Sequence, residues 1–212
     1  MKFPLLATVI VFVIWLNYEI FKRNNKAQRL DKDFWEKESR SNGVRKKSLE
    51  SLSYIHIPLE ALPMDVLTNN PEVSACLSTI SHLSNEKIVN LTGITNTDLK
   101  LEYGTANITA LSDFDQNYTV LVTTLQKWGK ELYDNSQFTQ AACVLEFAVS
   151  TRTDIMDSYR LLCDMYKTKL HLNITETKEK LDQLLPIALS LNSLSKESIL
   201  SMINTERESL SV

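Results

Sequence analysis

The feature that most narrows the fold is a helix-periodic apolar pattern that occurs twice. Leu121, Leu125, Trp128 and Leu132 fall on one face of a helix. Asp134, Asn135 and Ser136 then read as a turn. Phe138, Ala141, Leu145 and Ala148 line a second helix, with Ala142 and Val149 beside them. Alanines at spaced positions let two helix backbones approach closely, while Trp128 and Phe138 fill the gap. The product is an antiparallel hairpin with more apolar area than one hairpin can bury alone, so it predicts a neighbour. A neighbour follows. Tyr159, Leu162, Cys163 and Tyr166 repeat the spacing of Leu125, Trp128, Gly129 and Leu132 at an offset of 34 residues. Leu181, Leu185 and Ala188 then echo Ala141, Leu145 and Ala148, after a turn lengthened by about six residues around "LHLNIT". A last helix, residues 195 to about 210, opens at a capping Ser195 and carries Ile199, Met202 and Ile203. Polar residues on its other side suit a helix that closes a stack.

Upstream the patterns are shorter. Asn70 is a candidate N-cap, with Pro71 at the first helical position and Glu72 in the first turn. Val73, Cys76, Leu77 and Ile80 make one apolar face. Ser84 is read as capping a short helix that ends near Gly93, and Asn96 or Thr97 as capping another that stops at Gly104. Pro186 removes one backbone donor and should kink or split its helix. No segment alternates apolar and polar residues long enough for a sheet, so the fold class is all-α. Four layers of organisation are expected: an anchor over residues 1–23, a basic neck over 24–60, a helical segment over 61–116, and repeats with a closing helix over 117–212.

Residues 3–16 form an apolar run diluted only by Thr8, and Tyr18, Ile20 and Phe21 extend it past Asn17 and Glu19. A signal peptide fits the length, but no small-x-small cleavage site follows. A buried core helix fits the shortness of the strict run, yet sits poorly beside a polybasic neck. Trp15 and Tyr18 suit a membrane interface, and Lys22 and Arg23 can reach back to it. The expectation is a single transmembrane helix. Lys22, Arg23, Lys26, Arg29 and Lys32 on its C-terminal side place the body in the cytoplasm. Four N-x-S/T triplets, at Asn90, Asn107, Asn117 and Asn173, suit the opposite case of an exported, glycosylated domain.

Charge is unevenly placed. Residues 22–47 hold ten Lys or Arg against four acids, whereas residues 48–212 hold 12 basic and 21 acidic residues. A basic neck thus joins an acidic body. Nucleic-acid binding by the body is not expected, and the phosphate nearest the neck would be that of a lipid headgroup. Within the neck, "LDKDFWEKESR" reads as a short amphipathic helix with Phe34 and Trp35 on a charged surface, broken at residues 41–43. A second helical stretch is expected over residues 44–57, from Leu49, Leu52 and Ile55. Two readings of the neck fit equally, a membrane-surface helix and a solvated linker helix.

The paired hairpins resemble the tetratricopeptide repeat. Its aromatic-x-x-Leu-Gly-x-x-Tyr, then Ala, aromatic, Ala arrangement is partly met by Leu125, Trp128, Gly129, Leu132, Phe138, Ala141, Leu145 and Ala148. The second unit matches through Tyr159, Leu162, Cys163, Tyr166 and Ala188. Thr153 stands where the repeat has its closing Pro, and the second turn is too long. The resemblance covers roughly residues 119–191. With its anchor, the layout is also similar to uncharacterised membrane-anchored repeat proteins of bacteria. The family binds peptides or protein segments on a face built from its first helices. By position, that face would present Gln126, Lys130 and Tyr133 from one unit and Arg160, Asp164 and Lys167 from the next, each trio on one helical stripe. A plain solvated face would show the same residue types.

Catalytic patterns are missing from the sequence. His56, His82 and His171 stand apart without metal-ligand spacing, and four glycines make no phosphate-binding loop. Cys76, Cys143 and Cys163 form no CxxC pair and read as small buried hydrophobes. Asp113 and Asp115, flanking Phe114, are read as turn residues in a loop before a helix rather than an acid–base pair. The expected function is therefore not enzymatic and needs no cofactor or metal: a membrane-anchored scaffold or adaptor that binds a protein or peptide. The alternatives are a structural homo-oligomer assembled through the repeat faces, and the exported domain.

Overall fold

The computed structural model describes residues 3–210. Met1, Lys2, Ser211, Val212 and the side chains of residues 3–7, 24, 25 and 27 lie outside the described residues, and with them the leading third of the expected anchor. Among the described residues there are eight α-helices and no strand. They are α1 (Phe3–Asn42), α2 (Pro71–Leu83), α3 (Asn96–Tyr103), α4 (Ile108–Asp134), α5 (Phe138–Ser150), α6 (Met156–Asp164), α7 (Ile174–Leu189) and α8 (Lys196–Glu208). The protein is all-α. It divides into two compact units, one made of residues up to Ser48 with Thr95–Ile108, the other of Leu49–Ile94 with residue 109 onward.

The first unit is α1 with α3 against it. α1 is one helix of 40 residues, so the amphipathic stretch around Phe34 and Trp35 is its later part and not a separate helix. It ends at the expected break, where the Gly43 N–H donates to the Arg40 carbonyl at 3.2 Å. Polar ties hold α3 to it. Lys37 pairs with Asp98 at 2.6 Å, and Glu38 takes Lys100 and the Thr97 hydroxyl. Lys100 chiefly holds the Glu38 carboxyl below the usual carboxylate range, and Lys37 does the same for Asp98. The cap of α3 is Thr95, one residue ahead of the expected pair, its hydroxyl accepting the Asp98 N–H at 3.2 Å. Gly104 ends α3 with φ 86°, and a Cβ there would lie 2.3 Å from the Arg45 carbonyl oxygen, so only glycine closes this turn.

No described helix is long and apolar enough to cross a membrane. The expected anchor over residues 1–23 is therefore not supported by the described residues. Asn17, Glu19 and Lys22 interrupt the apolar run on one side, and its head lies outside the description on the other. What α1 does present is large apolar side chains all round: from Val9 to Phe21 the large hydrophobic residues are 41–65% exposed.

The helix expected over residues 44–57 does not form, because its backbone groups are bonded elsewhere. In the first unit the Lys47 N–H donates to the Tyr103 carbonyl at 3.0 Å, and the Asn107 amide donates to the Lys47 carbonyl at 2.8 Å. In the second unit the Ile55 N–H donates to the Ile88 carbonyl at 2.9 Å.

The second unit begins with α2, capped by Asn70 as expected, its side chain accepting the Glu72 and Val73 N–H groups. Val73, Cys76 and Ile80 are buried and Leu77 is half-buried. Ser84 ends α2 and does not start another helix, since its hydroxyl donates back to the Ser81 carbonyl at 2.8 Å. Residues beyond it are held by α4: the Val89 N–H donates to the Phe114 carbonyl at 3.3 Å and the Leu91 N–H to Asp115 Oδ1 at 3.1 Å. α4 starts at Ile108, so Asp113 and Asp115 are helical and not in a loop. Leu111 and Tyr118 continue its apolar face backward from Leu121.

Both hairpins are present. Leu121, Leu125, Trp128, Leu132, Ala141, Leu145 and Ala148 are wholly enclosed. Gly129 is where α4 and α5 meet, and a Cβ on it would stand 2.5 Å from Leu145 Cγ. Ser136, with φ 59°, makes the turn between them. Thr153, in the place of the closing proline, accepts the Ile155 N–H on its hydroxyl at 3.3 Å and the Tyr159 hydroxyl on its carbonyl at 2.9 Å. α6 continues as a π turn, Met165–Lys169, and the long connection after it, residues 170–173, ends in a capping box in which Asn173 and Glu176 bond each other's backbone. Tyr159, Leu162, Cys163, Tyr166, Leu181 and Ala188 are buried, whereas Leu185 is only half-buried and Leu184 takes the inward position. Pro186 neither splits nor ends α7, which runs on to Leu189. α5 lies against α6 and α7, and α8 against α6 and α7. Glu146 ties α5 to its successors, accepting the Tyr166 hydroxyl at 2.7 Å and Lys180 at 2.8 Å.

Two outcomes follow from this packing. Gly129→Ala gains about 1 kcal/mol of helix propensity but drives a methyl into enclosed Leu145, an overpacking cost of about 1–3 kcal/mol. Denaturant titration should show net destabilisation, and in a double-mutant cycle Gly129→Ala should cost less in the Leu145→Ala background than in the unaltered chain. Burial raises the hydroxyl pKa of Tyr118, Tyr159 and Tyr166. Folding thus favours their neutral form, and that stabilisation is complete below the unfolded value near ~10 and is lost as pH rises beyond it. In alkaline titration the tyrosinate absorbance of these three should appear together with loss of helical circular dichroism.

Candidate functional site

The structure brings five of the six expected contact residues to one cleft in the second unit. Lys130 and Tyr133 come from the last turns of α4, Arg160 and Asp164 from α6, and Lys167 from the π turn. Asp134, Leu161, Thr168 and Glu206 complete a lining around a volume of about 520 Å³. Gln126, one turn earlier on α4, is half-buried and lies outside this lining.

The local folding explains each position. Tyr133 is held edge-on by Phe138, with ring centroids 5.4 Å apart, which points its hydroxyl away from the hairpin turn and onto Asp164. That bond is the chief reason the Tyr133 hydroxyl titrates above its ordinary value. Asp164 also accepts the Thr168 hydroxyl on its other oxygen at 3.1 Å. The extra residue of the π turn sets Lys167 and Thr168 in the cleft, and the buried Thr177 hydroxyl donates to the Tyr166 carbonyl at 3.2 Å.

Every cation of the cleft is matched by an acid. Lys130 pairs with Asp134 at 2.5 Å, which raises the Lys130 pKa, and Arg160 pairs with Asp157 at 3.0 Å. Lys167 reaches α8, meeting Glu206 at 2.5 Å and the Ser209 hydroxyl at 2.8 Å. The cleft has both signs and no surplus of either. Chemically it can exchange ion pairs with a polypeptide of mixed charge, with Leu161 as its apolar contact.

A second concavity, of about 410 Å³, lies where α5 and α7 end. Asn90 organises its floor, donating to the Tyr118 hydroxyl at 2.9 Å and the Thr151 carbonyl at 3.1 Å. Arg152, with φ 63°, and Asp154 line it. The other N-x-S/T asparagines are also engaged: Asn107 is buried, Asn117 donates to the Lys87 carbonyl at 3.1 Å, and Asn173 caps α7.

Sequence reading did not find Asp134, Thr168 or Glu206. Asp134 was visible as the i+4 partner of Lys130. Thr168 depends on the π register, and Glu206 on a helix that returns from far along the chain. No group of three or more His, Cys, Asp or Glu among the described residues could hold a metal ion. The cysteines are unpaired, and burial pushes the Cys163 thiol up to about 12. No protein-family model, curated protein or solved structure matches the chain.

Tyr133→Phe removes the hydroxyl bridging α4 to α6 while Thr168 still serves Asp164. Thermal or denaturant unfolding should register a loss of about 1 kcal/mol.

Proposed function

We propose that the protein is a membrane-held adaptor whose stacked helices receive a segment of a partner protein in the cleft between α4, α6 and α8. The observation that carries this reading is the convergence of Lys130, Tyr133, Arg160, Asp164 and Lys167 from three separate elements. The tetratricopeptide-like organisation supports it. α6, α7 and α8 each lean on helices that precede them, α5 meets α4 at Gly129, and most marker positions of both hairpins face inward. A partner segment enters by exchanging ion pairs that already exist, which favours a mixed-charge sequence over a strongly acidic or basic one.

The membrane part rests on α1. The described large apolar side chains of α1 from Val9 to Phe21 are exposed on all sides, which favours an apolar surrounding for that stretch. Residues 9–21 are shorter than the ~20 residues of a span, and the apolar residues ahead of them would complete it. The cations after residue 21 favour a cytoplasmic body. Of the four N-x-S/T asparagines, Asn107 is unsuited to glycosylation, since its amide is enclosed and bonded to the Lys47 and Tyr103 carbonyls.

A photo-crosslinking residue in place of Thr168, in the full chain in its native membrane, tests the cleft. One distinct protein should be captured, and K130E with R160E should weaken its binding by about tenfold or more. Capture of a second copy of the chain would favour self-assembly instead. Unchanged capture in the charge-reversed variant would remove the cleft from the reading.

A further inference from the structure

We propose that Tyr18, Phe21, Lys22, Lys26 and Arg29 form a site for the headgroup of an anionic phospholipid. The proposal rests on α1 being held in a membrane. These five side chains border one concavity of about 390 Å³ on the side of α1. Positions 18, 22, 26 and 29 fall on successive turns of a single face, with Phe21 beside them.

The arrangement is graded along the helix axis. The apolar side chains from Val9 to Leu16 come first, then the two aromatic rings, then the three cations. Aromatic rings settle at the level of the glycerol and headgroup region, and Lys22 lies about 6 Å further out at the helical rise per residue. Lys22 therefore stands at about the depth of the lipid phosphates, and Lys26 and Arg29 follow at about 6 and about 10 Å further out, reaching back along the helix with long side chains.

Charge makes the site selective. Lys22, Lys26 and Arg29 form no ion pair among the described residues, although Glu19 and Asp33 are within helical reach of them. Further along the same helix Lys37 and Glu38 are paired. Three cations around one concavity draw a phosphate and repel the choline or ammonium of a zwitterionic headgroup. A nucleic acid would satisfy the cations but leave Phe21, 65% exposed, in water.

The test uses the full chain reconstituted in bilayers carrying lipids brominated in their acyl chains. Of the three tryptophans, Trp128 is enclosed and Trp35 lies about 30 Å further along α1, so the emission quenched by acyl-chain bromine is that of Trp15 and reports which lipid sits beside α1. The expected result is a preference for brominated anionic over brominated zwitterionic lipid of roughly fivefold per engaged cation, reduced by salt. In K22Q/K26Q/R29Q, whose substitutions touch no buried residue, the preference should fall to parity. Equal quenching by both lipids in the unaltered chain overturns the headgroup site and leaves the anchor standing. No quenching by either overturns the anchor as well. A preference that survives the triple substitution overturns the assignment to these residues. A preference abolished by millimolar inorganic phosphate overturns the lipid as occupant.

Discussion

The contact between Gly129 and Leu145 sets the distance between α4 and α5, and the rest of the second unit is built outward from it. Leu145 occupies the space that any side chain at residue 129 would need. Ala141 and Ala148, one turn to either side of Leu145, leave room for that approach. With α5 seated this deeply, its other faces carry Glu146 to Tyr166 and Lys180, and the corner after Ser150 to Asn90 and Tyr118. The later helices inherit their places from α5.

The repeated hairpins were legible because helical periodicity reports directly on which side chains face inward. Trp128, Leu145, Tyr159 and Leu162 needed nothing beyond their spacing. Failure came where a backbone group found a distant partner. Residues 44–57 carry apolar residues at helical spacing, yet the Ile88 carbonyl and the Asn107 amide claim their backbone. Ser84 looks like an opening cap and serves as a closing one. Asp113 and Asp115 looked like loop residues because two acids flanking an aromatic are common in turns, but Leu111 and Tyr118 extend the helix through them. In the cleft, the residues found were those on regular helices. Thr168 and Glu206 were hidden because the π turn and the return of α8 leave no periodic trace.

The two ends of the charge distribution play different physical parts. In the second unit each cation of the cleft has an acid beside it, two of them on their own helix and one, Lys167, on α8, so the surface is polar without a strong field. On α1, among the described residues, Lys22, Lys26 and Arg29 form no ion pair, whereas Lys37 is paired with Asp98. A matched surface discriminates by geometry, and an unmatched one by the sign of what approaches.

α1 runs without interruption from its apolar side chains to Asn42, with α3 fastened to its later turns by Lys37, Glu38 and Asn42. At the helical rise per residue it is about 60 Å long. A helix of that length with no proline after its opening turn behaves as a stiff lever. Turning one end of it by a few degrees swings the other through several ångströms, so a small change of angle at the apolar half is read at α3 as a displacement.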